Sequence, residues 1–256
     1  MRKEPFFSHV RLRREELSPG TYPLSIPAVR DIETIRFHPA VTVFAGENGS
    51  GKSTLIEALA VAAGFNPEGG TKGYRTPQAS TDLSLSDALS LARSGFREKD
   101  GLFLRGESAY ALFNYNNAVD RELDEIDVEL EDRDIILSCS RYGDYHLRSH
   151  GESFFDLFHK RFSDARNHLF ILDEVESALS PQRQLEFLAL MHRHVGRGSS
   201  FIVSTHSPIL MAYPRSRLYW LDKTGIMERH WKETDHFKTY LAFLSEPDMG
   251  LGGLFA

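Results

Sequence analysis

Val41-Thr42-Val43-Phe44-Ala45 runs directly into Gly46-Glu47-Asn48-Gly49-Ser50-Gly51-Lys52-Ser53-Thr54, and this junction restricts the fold more than any other part of the chain. An apolar, β-branched run that stops at a glycine suits a buried central strand. From Lys52 to Ala63 the spacing becomes helical, with Leu55, Ile56, Leu59 and Ala60 on one face and Gly64 as the stop. Between strand and helix, every fixed position of the pattern G-x-x-x-x-G-K-S/T is filled. Glycines let such a turn curl until several backbone N–H groups face one anion, and the helix start adds the positive end of its dipole. The segment 46–54 is therefore expected to cradle a nucleoside phosphate. Lys52 would meet the β- and γ-phosphates, and the Ser53 hydroxyl would ligate Mg²⁺. Taken alone, the loop fits an ATPase, a GTPase or a small-molecule kinase.

Two further apolar runs end in polar groups suited to the same chemistry. Leu169-Phe170-Ile171-Leu172 leads to Asp173-Glu174. A carboxylate at the end of a strand beside a phosphate loop is placed to support Mg²⁺, which gives Asp173 its expected role. Glu174 follows at once and is expected to orient or deprotonate an attacking water. Phe201-Ile202-Val203 leads to Ser204-Thr205-His206, with the imidazole at the strand edge where ligands collect in an open α/β sheet. His206 is expected to contact the γ-phosphate or to hold the water together with Glu174.

The remaining pattern predicts strands at Ser8–Leu12, Thr21–Ile26, Thr34–Phe37, Leu102–Arg105 and Leu218–Leu221. Helices are expected from Ser84 to about Ala92, over Gln182–Val195 behind Pro181, and over Glu233–Leu244. Residues 66–81, rich in Gly, Pro, Ser and Thr, read as a loop. Strands alternating with helices imply a mainly parallel, helix-covered sheet. The expected fold class is α/β, with an antiparallel N-terminal β region and a small helical subdomain at about 107–150 within a single domain spanning 1–256.

These motifs together resemble the ABC-type P-loop ATPase superfamily, and in particular its small soluble bacterial members related to RecF and to SMC-type ATPase heads. The resemblance rests on four elements in the family's order: the phosphate loop at 46–54, a signature-like Ser149-His150-Gly151-Glu152-Ser153, the strand and two acids at 169–174, and Thr205-His206. It implies ATP and Mg²⁺ as cofactors and hydrolysis of ATP. It also implies a head-to-tail homodimer in which Ser149, Gly151 and Glu152 of one copy bind the nucleotide held by the other. A family position that helps hold Mg²⁺ falls on Glu107, after Leu102–Gly106, with Gln78 as the rival. The segment Glu174 to Ser180, which includes Ser177-Ala178-Leu179-Ser180, resembles the family's dimer-facing loop. Signature residues His150 and Glu152 depart from the common L-S-G-G-Q form.

Composition narrows the partners. Net charge is −6 and residues 120–134 are mostly acidic, so no whole-molecule basic field draws in nucleic acid. No apolar run nears the roughly 18 residues of a membrane span, the start of the chain lacks a signal-like stretch, and Cys139 is the one cysteine. These features suggest a cytoplasmic protein. The span between Glu107 and Ser149 is too short for a long coiled-coil arm. His192 and His194 stand two apart on a helix and do not share a face, so they form no expected metal site. A DNA or protein partner stays open. So do a slowly hydrolysing switch module in DNA repair or phage defence and a transporter's ATPase subunit.

Overall fold

Five apolar strands form a parallel core because each is buried on both faces. They are β3 (Val41–Gly46), β6 (Gly101–Arg105), β7 (Leu169–Asp173), β8 (Ser200–Thr205) and β9 (Ser216–Asp222). The computed structural model describes residues 3–20, 22–72, 84–106, 155, 158 and 162–246. Antiparallel β10 (Gly225–Glu228) and β4 (Gly70–Thr71) close the two edges, giving the seven-stranded order β10-β9-β3-β8-β7-β6-β4. A second sheet of three antiparallel strands has the order β2-β1-β5, built from β1 (Phe7–Leu12), β2 (Thr34–Arg36) and β5 (Leu89–Arg93).

The two-residue period of the strands divides the interior. Leu169 and Ile171 of β7 face one core, with Phe44, Phe103, Ile202 and Leu221. Against that face pack α2 (Lys52–Ala62) and the three-stranded sheet, through Leu55, Ile56, Leu59, Val10 and Ile35. Phe170 and Leu172 face the other core, with Val43, Leu104, Val203 and Trp220. It is covered by α4 (Pro181–Gly196) through Phe187, Leu190 and Met191, and by Phe158 and Phe162. Ser180 caps α4 by accepting from the Arg183 N–H, with Pro181 in the first turn. The short α5 (Pro208–Met211) follows β8, and α6 (Asp235–Ser245) follows β10. No residue of α6 is buried, and its Tyr240, Leu241 and Leu244 are exposed. Among the described residues, no helix is long and apolar enough to cross a membrane.

Two expected elements are different. The helix from Ser84 stops at Ala88 (α3, Ser84–Ala88), and Leu89–Arg93 is strand β5. Leu85, Ala88, Leu89 and Ala92 carry helical spacing, yet the edge of β1 captures the second half, pairing Val10 with Leu91. The expected strand Thr21–Ile26 does not form over Tyr22–Ile26, which turns into α1 (Pro27–Arg30), while Thr21 lies outside the described residues. Pro23 and Pro27 lack the N–H groups that a ladder needs. The loop expected at 66–81 contains β4, and its residues 73–81, like the subdomain at 107–150, lie outside the described residues.

Phe170 is the hub of the α4-side core. Its ring stacks on Phe201 at 4.8 Å and meets Phe162 at 5.2 Å and Phe158 and His194 at 5.4 Å. Phe170→Ala is expected to cost about 3–5 kcal/mol of unfolding free energy in urea titrations. A cost under about 1 kcal/mol would contradict a close-packed interior at this position.

Candidate functional site

Adjacent parallel strands bring their carboxyl ends to one edge, and the sequence placed its polar groups there. Ala45 of β3 lies opposite Thr205 of β8, and Ser204 of β8 opposite Asp173 of β7. Gly46, Asp173-Glu174 and Thr205-His206 therefore share the rim where ligands bind in open α/β sheets.

The turn after β3 depends on glycines. Gly46 has φ +153°, and a Cβ there would land on the carbonyl oxygen of Leu221. Gly51, at φ +94°, caps α2 in the left-handed region with Ile26 pressed against it. Leu55 N–H donates to Gly51 O at 3.0 Å, so the amides of Lys52, Ser53 and Thr54 lie in the helix's unpaired first turn. Ser50 Oγ is buried and has no hydrogen-bond partner among the described residues.

Lys52 is 3% exposed. Its ammonium donates to Glu47 O at 3.0 Å and lies 3.6 Å from Glu174 Oε1. Burial pushes the ammonium below the ordinary lysine value, and Glu174 pulls it back up. Ser53 Oγ donates to Asp173 Oδ1 at 3.4 Å, and Ser204 Oγ donates to the same oxygen. Burial raises the Asp173 carboxyl above the usual range, with the Ser204 hydroxyl opposing it. A buried carboxylate beside a hydroxyl, at the mouth of a cradle that side chains would fill, has the oxygen chemistry of a magnesium site. Among the described residues, no group of three or more His, Cys, Asp or Glu is placed to hold a metal.

Glu174 adopts the left-handed backbone conformation, φ 50° and ψ 41°, which is uncommon outside glycine. The turn is pinned by Glu174 N–H to Ser204 O at 3.1 Å and by Ser177 Oγ to Glu174 O at 2.8 Å. Its carboxylate meets His206 Nε2 at 2.9 Å, where the imidazole N–H donates to Oε1.

Sequence reading missed two residues of this cluster. Glu176 accepts from the Thr205 hydroxyl at 2.7 Å and from the His206 N–H at 2.6 Å, so it clamps the end of β8 that carries His206. An acid two residues after Glu174 in the same turn was the available signal. The second is His236 of α6, whose Nε2 lies 3.7 Å from Glu47 Oε1. Nothing in its neighbourhood in the sequence marks it.

Of the expected site residues, the structure gathers Glu47, Lys52, Ser53, Asp173, Glu174 and His206 into one hydrogen-bonded and ion-paired cluster. Gly46, Asn48, Gly49, Ser50, Gly51 and Thr54 complete the loop and first helical turn around it. Gly106 N–H donates to Asp173 O at 2.7 Å, while Glu107 and Gln78 lie outside the described residues, as do Ser149, Gly151 and Glu152.

Parallel strand order, a phosphate-loop turn and an acidic strand end give the chain a fold like that of an ABC transporter's ATPase and of an SMC head. A sequence profile of the AAA domain family matches residues 24–101. Among solved structures, the chain resembles an ABC transporter in an inward-facing conformation, with a TM-score of 0.51 and 16% identity over 93% of this chain and 89% of that one. It also resembles the SMC head bound to the C-winged helix domain of ScpA, with a TM-score of 0.51 and 13% identity over 88% of this chain and 98% of that one. No curated protein sequence matches significantly.

The Glu176 clamp has a pH consequence. Burial raises its carboxyl above the ordinary value of 4.5. A raised folded-state pKa contributes stability below the unfolded value and loses it as pH climbs through the folded one. Glu176→Gln keeps an acceptor for both donors and cannot ionise. Its stability is expected within about 1 kcal/mol of the parent, with a smaller loss in urea unfolding as pH rises above the ordinary carboxyl value of 4.5. Glu176→Ala strands both donors and should cost about 1–3 kcal/mol. A parent and a Gln variant with identical pH dependence would contradict the assignment.

Proposed function

We propose that the chain binds ATP with magnesium at residues 46–54 and hydrolyses it, acting as an ABC-type ATPase paired head to tail with a second copy. The observation that carries this reading is the shared carboxylate oxygen of Glu174, which touches both the phosphate-loop lysine and the strand-end histidine. Lys52 opens the helix after β3, and Glu174 and His206 follow β7 and β8, so three separate segments meet beside the phosphate loop.

Backbone amides of the loop and the Lys52 ammonium bind the phosphate oxygens. In doing so Lys52 exchanges the Glu174 carboxylate for phosphate and leaves Oε1 to the His206 N–H alone. Ser53 and Asp173 are the residues that would hold magnesium, which when bound supplies positive charge to the phosphates. Glu174, oriented by the His206 N–H, holds a water and takes its proton as the water oxygen bonds to the γ-phosphorus. The bond from that phosphorus to the β-γ bridging oxygen breaks, and ADP and phosphate leave. Ser149, Gly151 and Glu152 of the second copy are the groups proposed to complete the phosphate contacts in trans, with Glu107 as a further magnesium ligand. In other P-loop systems a contact supplied in trans is worth about 10³–10⁵ in rate, so a dilute monomer should turn over slowly.

Glu174→Gln keeps the shape and removes the base. Its turnover is expected to fall about 10²–10⁴-fold, and light scattering should show a dimer that persists only with ATP and magnesium. Turnover equal to the parent would remove Glu174 from this role.

A further inference from the structure

His236 stands in a place that packing alone does not explain. Thr234 fixes the first turn of α6, accepting from Phe237 N–H at 3.3 Å and donating to Trp231 O at 2.6 Å. The turn thereby delivers the His236 ring against Trp220, edge-on at 5.1 Å, and against the His206 ring at 5.4 Å. Nε2 points to the Glu47 carboxylate at 3.7 Å, within reach of a bridging water. Nδ1 is buried and has no hydrogen-bond partner among the described residues. An unsatisfied buried nitrogen costs free energy that a phenyl ring of similar volume would not incur. The imidazole thus calls for a polar role.

We propose that His236 is a positioning residue of the nucleotide site, whose Nε2 faces the Glu47 carboxylate of the phosphate loop while its ring packs against the His206 ring. The inference rests on the ATPase reading of that site. Burial lowers its pKa, and the neighbouring His206 and Lys52 lower it further against Glu47 and Asp235, so the ring is neutral near pH 7. A neutral ring can donate from one nitrogen without adding a second cation beside Lys52. Through it, one side chain contacts both Glu47, whose carbonyl accepts from Lys52, and the imidazole that orients Glu174. A helix 184 positions after the Lys52 end of the loop in sequence number (236 − 52) thus becomes part of the site.

Two variants of the full chain separate the polar role from bulk. His236→Phe keeps the ring against Trp220 and His206 and removes both nitrogens. His236→Gln keeps an N–H of similar reach. For Phe, kcat for MgATP is expected to fall about 10-fold, the scale found for outer partners of catalytic groups. KM, MgATP uptake by calorimetry and melting temperature should stay near the parent's. Gln should recover kcat to within about threefold of the parent. A Phe variant as fast as the parent, or a Gln variant as slow as the Phe variant, overturns the proposal and leaves the ATPase reading standing. No MgATP uptake by the folded parent overturns both.

Discussion

Withdrawing an ammonium from water is expensive, by several kcal/mol even after relaxation, unless negative groups surround it. Lys52 is withdrawn almost completely, and the loop main chain and the Glu174 carboxylate are what surround it. That one buried cation sets the terms for the rest. It requires a glycine turn tight enough to fold Glu47 O back onto it, and an acid from the next strand but one. It also requires a helix whose first residue is buried at the sheet edge. A carboxylate in the left-handed conformation is tolerable here because hydrogen bonds to Ser204 and Ser177 hold the turn on both sides.

The parallel sheet is the device that brings these groups together. Register between β3, β8 and β7 places the ends of three strands level, so distant stretches of sequence deliver side chains to one rim. The aromatic stack around Phe170 on one side and the α2 face on the other leave β7 and β8 little freedom to slide. Glu176 then pins β8 to the turn after β7 through Thr205 and the His206 amide. Rigid strands and a cross-strand clamp make the Glu174–His206 contact a consequence of the fold rather than of two loops meeting.

Much of this was legible in the sequence, and the reasons differ from element to element. Buried parallel strands are continuous apolar runs, and β3, β7 and β8 each end in chemistry-bearing residues, so the central sheet and Lys52, Asp173, Glu174 and His206 could be read directly. Leu85–Ala92 misled because helical spacing is a local signal, whereas the pairing of Leu89–Arg93 with β1 is decided by an edge from the far N-terminal region. Pro23 and Pro27 are the visible evidence against a strand at Tyr22–Ile26, because each removes a ladder donor that apolar–polar alternation does not register. Glu176 had a signal in its spacing from Glu174. His236 had none, since its place depends on how α6 packs at the rim, which no local pattern encodes.

The central claim is that one nucleotide triphosphate is the natural counter-charge for Lys52. Isothermal calorimetry with MgATP tests it most directly, on parent and Lys52→Ala protein shown to be folded by their thermal unfolding. The account expects saturable uptake by the parent and none by the variant. Absence of uptake by the parent, or undiminished uptake by the variant, would contradict it.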